Sequence, residues 1–325
     1  MDIFQNIKDY IAQHNLINPG DIIIVGLSGG PDSVFLLHFL VELQKTTPLT
    51  LIVAHLNHEW RQDAEQEEQL CRTIAQAFNL HYITSKISEL HSIPRFKHNG
   101  SKEEYARIAR RYFFEKIARE LNAHSIALAH HAQDQEETFF IRLIRGATLT
   151  GLTAMKPRNN LYMRPLLTTN KQDMLHWLHA HSIIYALDAS NDSPHYLRNR
   201  IRSEVLPALR ECDSRFEANF LTTLHRLTAT ESFLEKLTET HFTKLSYHDG
   251  TRYILTLPDL LNTDPVLLSR IIIQWLIKEH VPFPITHAFL DEIIRFLRNP
   301  RGGKHHIHEQ WILVKKQKKA SLLKI

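Results

Sequence analysis

Cysteine is scarce in this chain: Cys71 and Cys212 are its two copies in 325 residues, 141 positions apart. That spacing excludes a disulfide framework, a Cys-x-x-Cys sulfur-transfer pair and a zinc knuckle, and it fits a reducing compartment. Long hydrophobic runs are missing as well. The most apolar stretches, Leu51–Ala54 and Leu267–Leu276, fall far short of the roughly 20 residues a membrane helix needs. The opening Met1-Asp2-Ile3-Phe4-Gln5 carries no basic leader region, so neither a membrane span nor an export signal is expected and the cytoplasm is the expected compartment. Charge of one sign is also lacking, with a net charge of +4. Attraction to a polyanion must therefore come from local patches. The segment from Lys304 to Ile325 is one, with six lysines against the single acid Glu309. Arg107, Arg110 and Arg111, and again Arg198, Arg200 and Arg202, form two more, although solvated helix faces are the commoner explanation of such clusters. With 43% apolar and 23% charged residues, neither a disordered chain nor a coiled coil fits.

What is present is an alternation of helical and strand patterns. Ile3, Phe4, Ile7 and Ile11 recur at helical spacing, Pro19-Gly20 breaks the pattern, and Ile22–Val25 reads as a buried strand. Further strands are expected at Leu51–Ala54, His81–Thr84 and Ser125–Ala129. Helices are expected from Ser33, through Glu65–Phe78 and Glu103–Leu121, and from Ala132. Strands separated by helices of this length imply parallel βαβ units, hence an α/β fold with a parallel sheet flanked by helices. Ligands in such folds gather at the carboxyl ends of the strands. The alternation ends near Pro207. Helices are expected at Phe216–Leu245, Pro265–Glu279 and His287–Leu297, followed by one or two strands within His305–Lys315. This divides the chain into a domain 1–210 and a smaller, mainly helical domain 211–325.

The first strand runs directly into Gly26-Leu27-Ser28-Gly29-Gly30-Pro31-Asp32-Ser33, and an apolar helical pattern follows. Adjacent glycines let backbone N–H groups turn inwards, proline suits the first helical turn, and the serines add hydroxyl donors at the positive end of a helix. These parts make an anion site, with Asp32 placed to hold Mg²⁺ against phosphate oxygens. The helix end alone contributes about 0.3–1 kcal/mol, so tight binding needs several N–H donors together. Neither the Walker pattern nor Gly-x-Gly-x-x-Gly is present. Two alternatives stay open: a hydrolase elbow, because residues 26–30 spell Gly-x-Ser-x-Gly with Ser28 as nucleophile, and a plain glycine-rich turn.

Ser28-Gly29-Gly30-Pro31-Asp32-Ser33 resembles the pyrophosphatase loop of N-type ATP pyrophosphatases, which have a Rossmann-like fold and split ATP between its α and β phosphates. Five further blocks occur in the order of the lysidine synthase family within that group. They are Val53–Arg61, Ser101–Tyr112, His130–Thr138 with Arg142 and Arg145-Gly146, Arg164–Leu167, and Asp188–Asp192 leading into Tyr196–Arg202. The resemblance is strong over about residues 20–210. The chain's length resembles the shorter form of the family.

The resemblance implies that wobble cytidine of an isoleucine tRNA with a CAU anticodon is adenylated by ATP at its C2 oxygen, and that free L-lysine then displaces AMP. ATP and Mg²⁺ are the implied cofactors, and a homodimer is left open. Ser28, Gly29, Gly30, Pro31, Asp32 and Ser33 would hold the phosphates, and Ala54 and His55 would pack on adenine. His130 and Asp134, four apart, could share one helix face and orient a reacting group. Arg107 and Arg202 would neutralise the ATP or tRNA phosphates. Glu103, Glu104 and Glu137 are weaker candidates for the lysine ammonium. Methionine tRNA shares the unmodified CAU anticodon, so residues 211–325 are expected to touch other parts of the tRNA. The alternatives are a zinc site at His130, His131, Asp134 and neighbouring acids, another tRNA-modifying enzyme of the same loop family, and a nucleotide-binding tRNA chaperone without catalysis.

Overall fold

The computed structural model describes residues 2–60, 64–91, 93, 102–153, 155–186, 197–283 and 286–325. Arg61, Ser101, Asp188–Asp192 and Tyr196, and the side chain of Glu103, lie outside the described residues. The chain forms two compact units, residues 1–225 and 226–325.

The first unit opens with α1 (Ile3–Gln13), started by Asp2, whose carboxylate accepts from the Phe4 N–H at 3.0 Å. Then come β1 (Ile22–Gly26), α2 (Pro31–Gln44), β2 (Thr50–Asn57), α3 (Ala64–Ala77), β3 (His81–Lys86) and α4 (Lys102–Glu120). β4 (Ser125–Ala127), α5 (Ala132–Ile144), the short α6 (Leu149–Leu152), β5 (Arg158–Asn159), β6 (Tyr162–Met163) and α7 (Lys171–Ala180) follow. A helical stretch is then built from α8 (Leu197–Arg200), a π turn over Ile201–Val205 and α9 (Leu206–Cys212). Pro207 stands at the start of α9, where the missing N–H of proline breaks the regular ladder beside the wider turn. Next is α10 (Phe216–Leu245), whose residues from Arg226 onwards belong to the second unit.

The expected α/β architecture is present. Six strands pair in the order β3-β2-β1-β4-β6-β5, parallel except for β5 against β6. Alternation along β1 assigns the two faces. Ile23 and Val25 pack with α1, α2 and α7 residues such as Phe4, Phe35, Phe39 and Leu178, whereas Ile24 packs with Phe113, Phe114 and Ile117 of α4. β6, two residues long, gives no periodic signal in the sequence. The chain leaves β1 towards β2 on one side and returns to β4 on the other, the switch in strand order at which open α/β sheets bind ligands.

In the second unit, β7 (Ser246–His248), β8 (Tyr253–Thr256), α11 (Leu257–Leu261), α12 (Pro265–Lys278), α13 (His287–Arg298), β9 (Gly303–His308), β10 (Trp311–Lys316) and β11 (Lys319–Lys324) follow one another. The strands form an antiparallel five-stranded sheet ordered β7-β8-β11-β10-β9, more extensive than the one or two strands read from the sequence. β7 and β8 are too short for period 2 to stand out. The helices pack through the fully buried Trp275, whose indole N–H donates to the Tyr253 carbonyl at 3.1 Å. Lys315 is buried, and its ammonium donates to the carbonyls of Leu297 and Asn299 at 2.6 and 2.5 Å, closing the C-terminus of α13. It is therefore withdrawn from the basic patch, to which the exposed Lys304, Lys316, Lys318, Lys319 and Lys324 still contribute.

The cysteines differ sharply. Cys71 is fully buried on α3, and burial pushes its thiol up to about 12, while Cys212 is exposed. An aromatic disulfide reagent is expected to modify one thiol per native chain, at Cys212, and the second only after unfolding. Two fast-reacting thiols would contradict the burial of Cys71.

Candidate active site

The turn after β1 is held from three sides. The Leu27 N–H donates to the Ala54 carbonyl at 2.9 Å, the His55 imidazole bonds through Nδ1 to the Leu27 carbonyl at 2.9 Å, and the Ala186 N–H donates to the Gly29 carbonyl at 2.9 Å. Inside the turn, the Ser28 N–H donates to Ser33 Oγ at 3.1 Å, the two serine hydroxyls lie 3.1 Å apart, and Ser33 Oγ donates to the Gly30 carbonyl at 2.9 Å. Gly29 has φ +83°, the left-handed region that favours glycine. Gly26 is glycine for space: a Cβ there would sit 2.9 Å from the Phe114 ring. Gly30 precedes α2 and Pro31 opens it, so the free N–H groups of the first turn end at this loop. Ser28 bonds to Ser33, and among the described residues no histidine base reaches it, which leaves the hydrolase elbow without its second member.

Asp32 stands in the first turn of α2. Its Oδ2 lies 3.3 Å from Lys171 Nζ and 3.5 Å from His131 Nε2, whereas its Oδ1 is buried and has no hydrogen-bond partner. Burial alone would raise this carboxyl, but the bond and charge of His131 and the charge of Lys171 outweigh it and hold Asp32 below its ordinary value.

His131 is the N-cap of α5 and forms a reciprocal box with Asp134, whose Oδ2 accepts the His131 N–H at 3.0 Å. The His131 ring is also 3.5 Å from Asp134 Oδ2 and bonds through Nδ1 to Gln133 Oε1 at 3.2 Å. Burial pulls its pKa down, yet Asp32 and Asp134 together raise it above the ordinary histidine value. His130 behaves oppositely. It precedes the helix, its Nδ1 is buried without a hydrogen-bond partner, and burial lowers its pKa to about 4, so it is neutral at pH 7. The residue that joins Asp134 to the loop is thus His131, one position after the histidine that four-residue spacing selects.

Behind these groups lies a belt of carboxylates and guanidiniums. Arg198 and Arg202, four apart, both reach Glu137, which is 1% exposed. Arg198 Nε is 2.5 Å from its Oε2, and Arg202 donates to Oε1 at 2.5 Å and to Oε2 at 3.2 Å. Arg198 also holds Asp134 Oδ1 at 2.5 Å. Arg210 joins Glu136 at 2.6 Å to Glu217 at 2.6 Å, and Glu217 accepts from Asn170 at 2.8 Å. Burial raises the Glu136 carboxyl to about 7 against the opposing charge of Arg210, with Glu217 and Glu137 adding to the rise.

The structure therefore brings together Ser28–Ser33, Ala54, His55, Asp134 and Arg202 around the ends of β1, β2 and β4. Arg107 is placed differently, on the exposed face of α4 and paired with Glu104 at 3.5 Å. Glu137 has both oxygens engaged by arginines. Lys171 and His131 are the residues that spacing alone does not select. Lys171 is 139 positions from Asp32, and no local pattern links them.

Among the described residues no group of three or more His, Cys, Asp or Glu side chains could hold a metal ion, so a protein-built zinc site finds no support there. Mg²⁺ is different, because it is usually held by one or two carboxylates and by substrate phosphates. The buried, unpartnered Asp32 Oδ1 fits such a ligand.

The fold and the loop define a class, an α/β protein with a glycine-rich strand-to-helix turn and a buried ionic cluster at the carboxyl end of a parallel sheet. Residues 2–209 match the PP-loop domain family, and the chain belongs to that family. It is 32% identical over 305 residues to the bifunctional protein TilS/HprT of Listeria monocytogenes serovar 1/2a, covering 92% of this chain and 47% of that protein. A tRNA(Ile)-lysidine synthase from Geobacter sulfurreducens is 36% identical over 240 residues, 73% of this chain and 50% of that one. One from Bacillus subtilis is 32% identical over 307 residues, 92% of this chain and 64% of that one. The chain spans about half to two thirds of the length of these relatives. Among solved structures, the U34-tRNA thiolase NcsA from Methanococcus maripaludis shares the fold, with a TM-score of 0.58 at 16% identity over 69% of this chain and 78% of that one.

Proposed function

We propose that this chain ligates free L-lysine to C2 of the wobble cytidine in isoleucine tRNA with a CAU anticodon, using ATP and releasing AMP and pyrophosphate. The observation that carries the reading is the junction of the phosphate loop with α5 through Asp32, His131 and Asp134. It supports a phosphate site beside a site for the second reactant. The names of the lysidine synthase relatives support this choice of substrates.

In the first step the cytosine C2 oxygen attacks the α phosphorus, and the bond to the β phosphate breaks. Such a transfer needs alignment and charge neutralisation more than covalent participation of the protein. The N–H groups at the start of α2 and the Ser28 and Ser33 hydroxyls receive the phosphate oxygens. Mg²⁺ bound through Asp32 would neutralise part of their charge. In the second step the lysine amine attacks C2 and the bond to AMP breaks. His130, neutral and with an unpartnered Nδ1, accepts a hydrogen bond from one of the reactants. Its low pKa makes it an orienting group and not a proton store. Asp134, whose two oxygens are held by His131 and Arg198, keeps His131 in place beside Asp32.

The second unit is proposed to contact tRNA outside the anticodon through Lys304, Lys316, Lys318 and Lys324. Lys316→Glu with Lys318→Glu is expected to weaken tRNA binding and to reduce the slope of log affinity against log salt by about 1 for each phosphate no longer neutralised. An unchanged slope in filter-binding titrations would remove these lysines from the interface.

Exchange of labelled pyrophosphate into ATP, dependent on tRNA, separates this enzyme from a non-catalytic chaperone. Sulfur transfer is disfavoured by the buried Cys71 and by the lack of a nearby partner for Cys212 in sequence.

A further inference from the structure

Lys171 is the first residue of α7, and its backbone is set firmly against the start of α5. The Ala132 N–H donates to the Thr169 carbonyl at 3.0 Å, and the Lys171 N–H donates to Gln133 Oε1 at 3.0 Å. Asn170 caps α7 by accepting from the Gln172 N–H at 2.8 Å, and its amide donates to Glu217 at 2.8 Å, tying the same turn to Arg210 and Glu136. The backbone is thus fixed, while the side chain crosses to Asp32 on a flexible four-carbon stem, about one-third exposed.

Asp32 receives the Lys171 ammonium and the His131 ring on one oxygen. A cation at the buried, unpartnered Oδ1 would compete with Lys171 for the same carboxylate, and repulsion between the two positive charges would weaken the hold on Lys171. Nearby stand the loop N–H groups, whose geometry collects anions. An ammonium anchored at its backbone and released from Asp32 moves to the phosphate oxygens those N–H groups bind. We infer that Lys171 is a phosphate-binding residue: it rests on Asp32 in the free protein and grips the pyrophosphate portion of ATP when the loop is filled. This inference rests on the ATP-binding reading of the loop. It gives the leaving pyrophosphate a mobile cation in addition to the fixed donors, as phosphoryl transfer requires.

The alternative role, neutralising Asp32 only, makes a different forecast. Removing a competitor for the carboxylate would then leave affinity for magnesium-bound pyrophosphate unchanged or improve it. The test is calorimetric binding of inorganic pyrophosphate, ATP and AMP, each with Mg²⁺, to the full chain and to Lys171→Met and Lys171→Arg, with thermal melting as the check on folding. Lys171→Met keeps the apolar stem. The expected result is at least a tenfold loss of affinity for pyrophosphate and ATP in Lys171→Met, little change for AMP, and partial recovery in Lys171→Arg. Pyrophosphate binding as tight as, or tighter than, that of the parent protein overturns the inference, and so does an equal loss for AMP. If the parent protein binds neither ATP nor pyrophosphate, the loop reading itself fails and the inference falls with it.

Discussion

Asp32→Asn is expected to lower tRNA-dependent pyrophosphate release by about 10³-fold, in line with the loss of a main electrostatic contributor to a phosphoryl transfer. The substitution keeps the size of the side chain and an oxygen for Lys171, but it removes the negative charge that a cation at Oδ1 requires. It also takes one of two carboxylates from His131, so the imidazole should titrate at lower pH, a shift visible in its ring-proton resonances. The effect on folding should be smaller. Asp32 lies below its ordinary pKa of 3.8 in the folded chain, so its contribution to stability is present above about pH 4 and lost as the pH falls through the folded value. His131 has the opposite sign. Its contribution is complete below pH 6.5 and lost as the pH rises through its raised value. Activity within tenfold of the parent protein would show that Asp32 carries no such charge role.

The second large effect belongs to Glu137. Glu137→Gln should cost about 3 kcal/mol of stability, the lower end for breaking a buried ion pair, because the partly exposed arginines can turn towards water. Arg198 then no longer has Glu137 to brace it against Asp134, so the acid facing the loop loses its support together with the belt behind it. Activity should therefore fall much further than the population of folded protein. Chemical denaturation and pyrophosphate release measured on the same preparation separate the two effects. A variant with unchanged stability would mean that Arg198 and Arg202 gain little from Glu137.

The parts of the site that lie within one stretch of chain were legible in the sequence. The residues from Gly26 to Ser33 carry their own geometry, because two glycines and a proline at a strand-to-helix junction make a tight turn and open a helix. The long strands and helices of the first unit were legible for the same reason, as each holds several periods. α5 shows where local reading stops. Spacing of four pairs His130 with Asp134, yet the helix begins after His131, so the capping box selects His131 and leaves His130 outside with a neutral ring. Lys171 illustrates a second limit. Its meaning depends on the fold bringing α7 to α2, and a lysine after an N-cap asparagine looks like any helix start. Lys315, which a charge count assigns to a solvated tail, is turned inwards by the carbonyls that end α13.

The most direct measurement is the transfer of labelled lysine to tRNA by the purified chain with ATP and Mg²⁺, comparing isoleucine and methionine tRNAs that both carry an unmodified CAU anticodon. The account predicts acid-stable label in the isoleucine tRNA only, one AMP formed for each lysine joined, and a rate about 10³-fold lower with Asp32→Asn. AMP formation without lysine incorporation would contradict the proposed nucleophile, and absence of both with intact tRNA would contradict the proposed reaction.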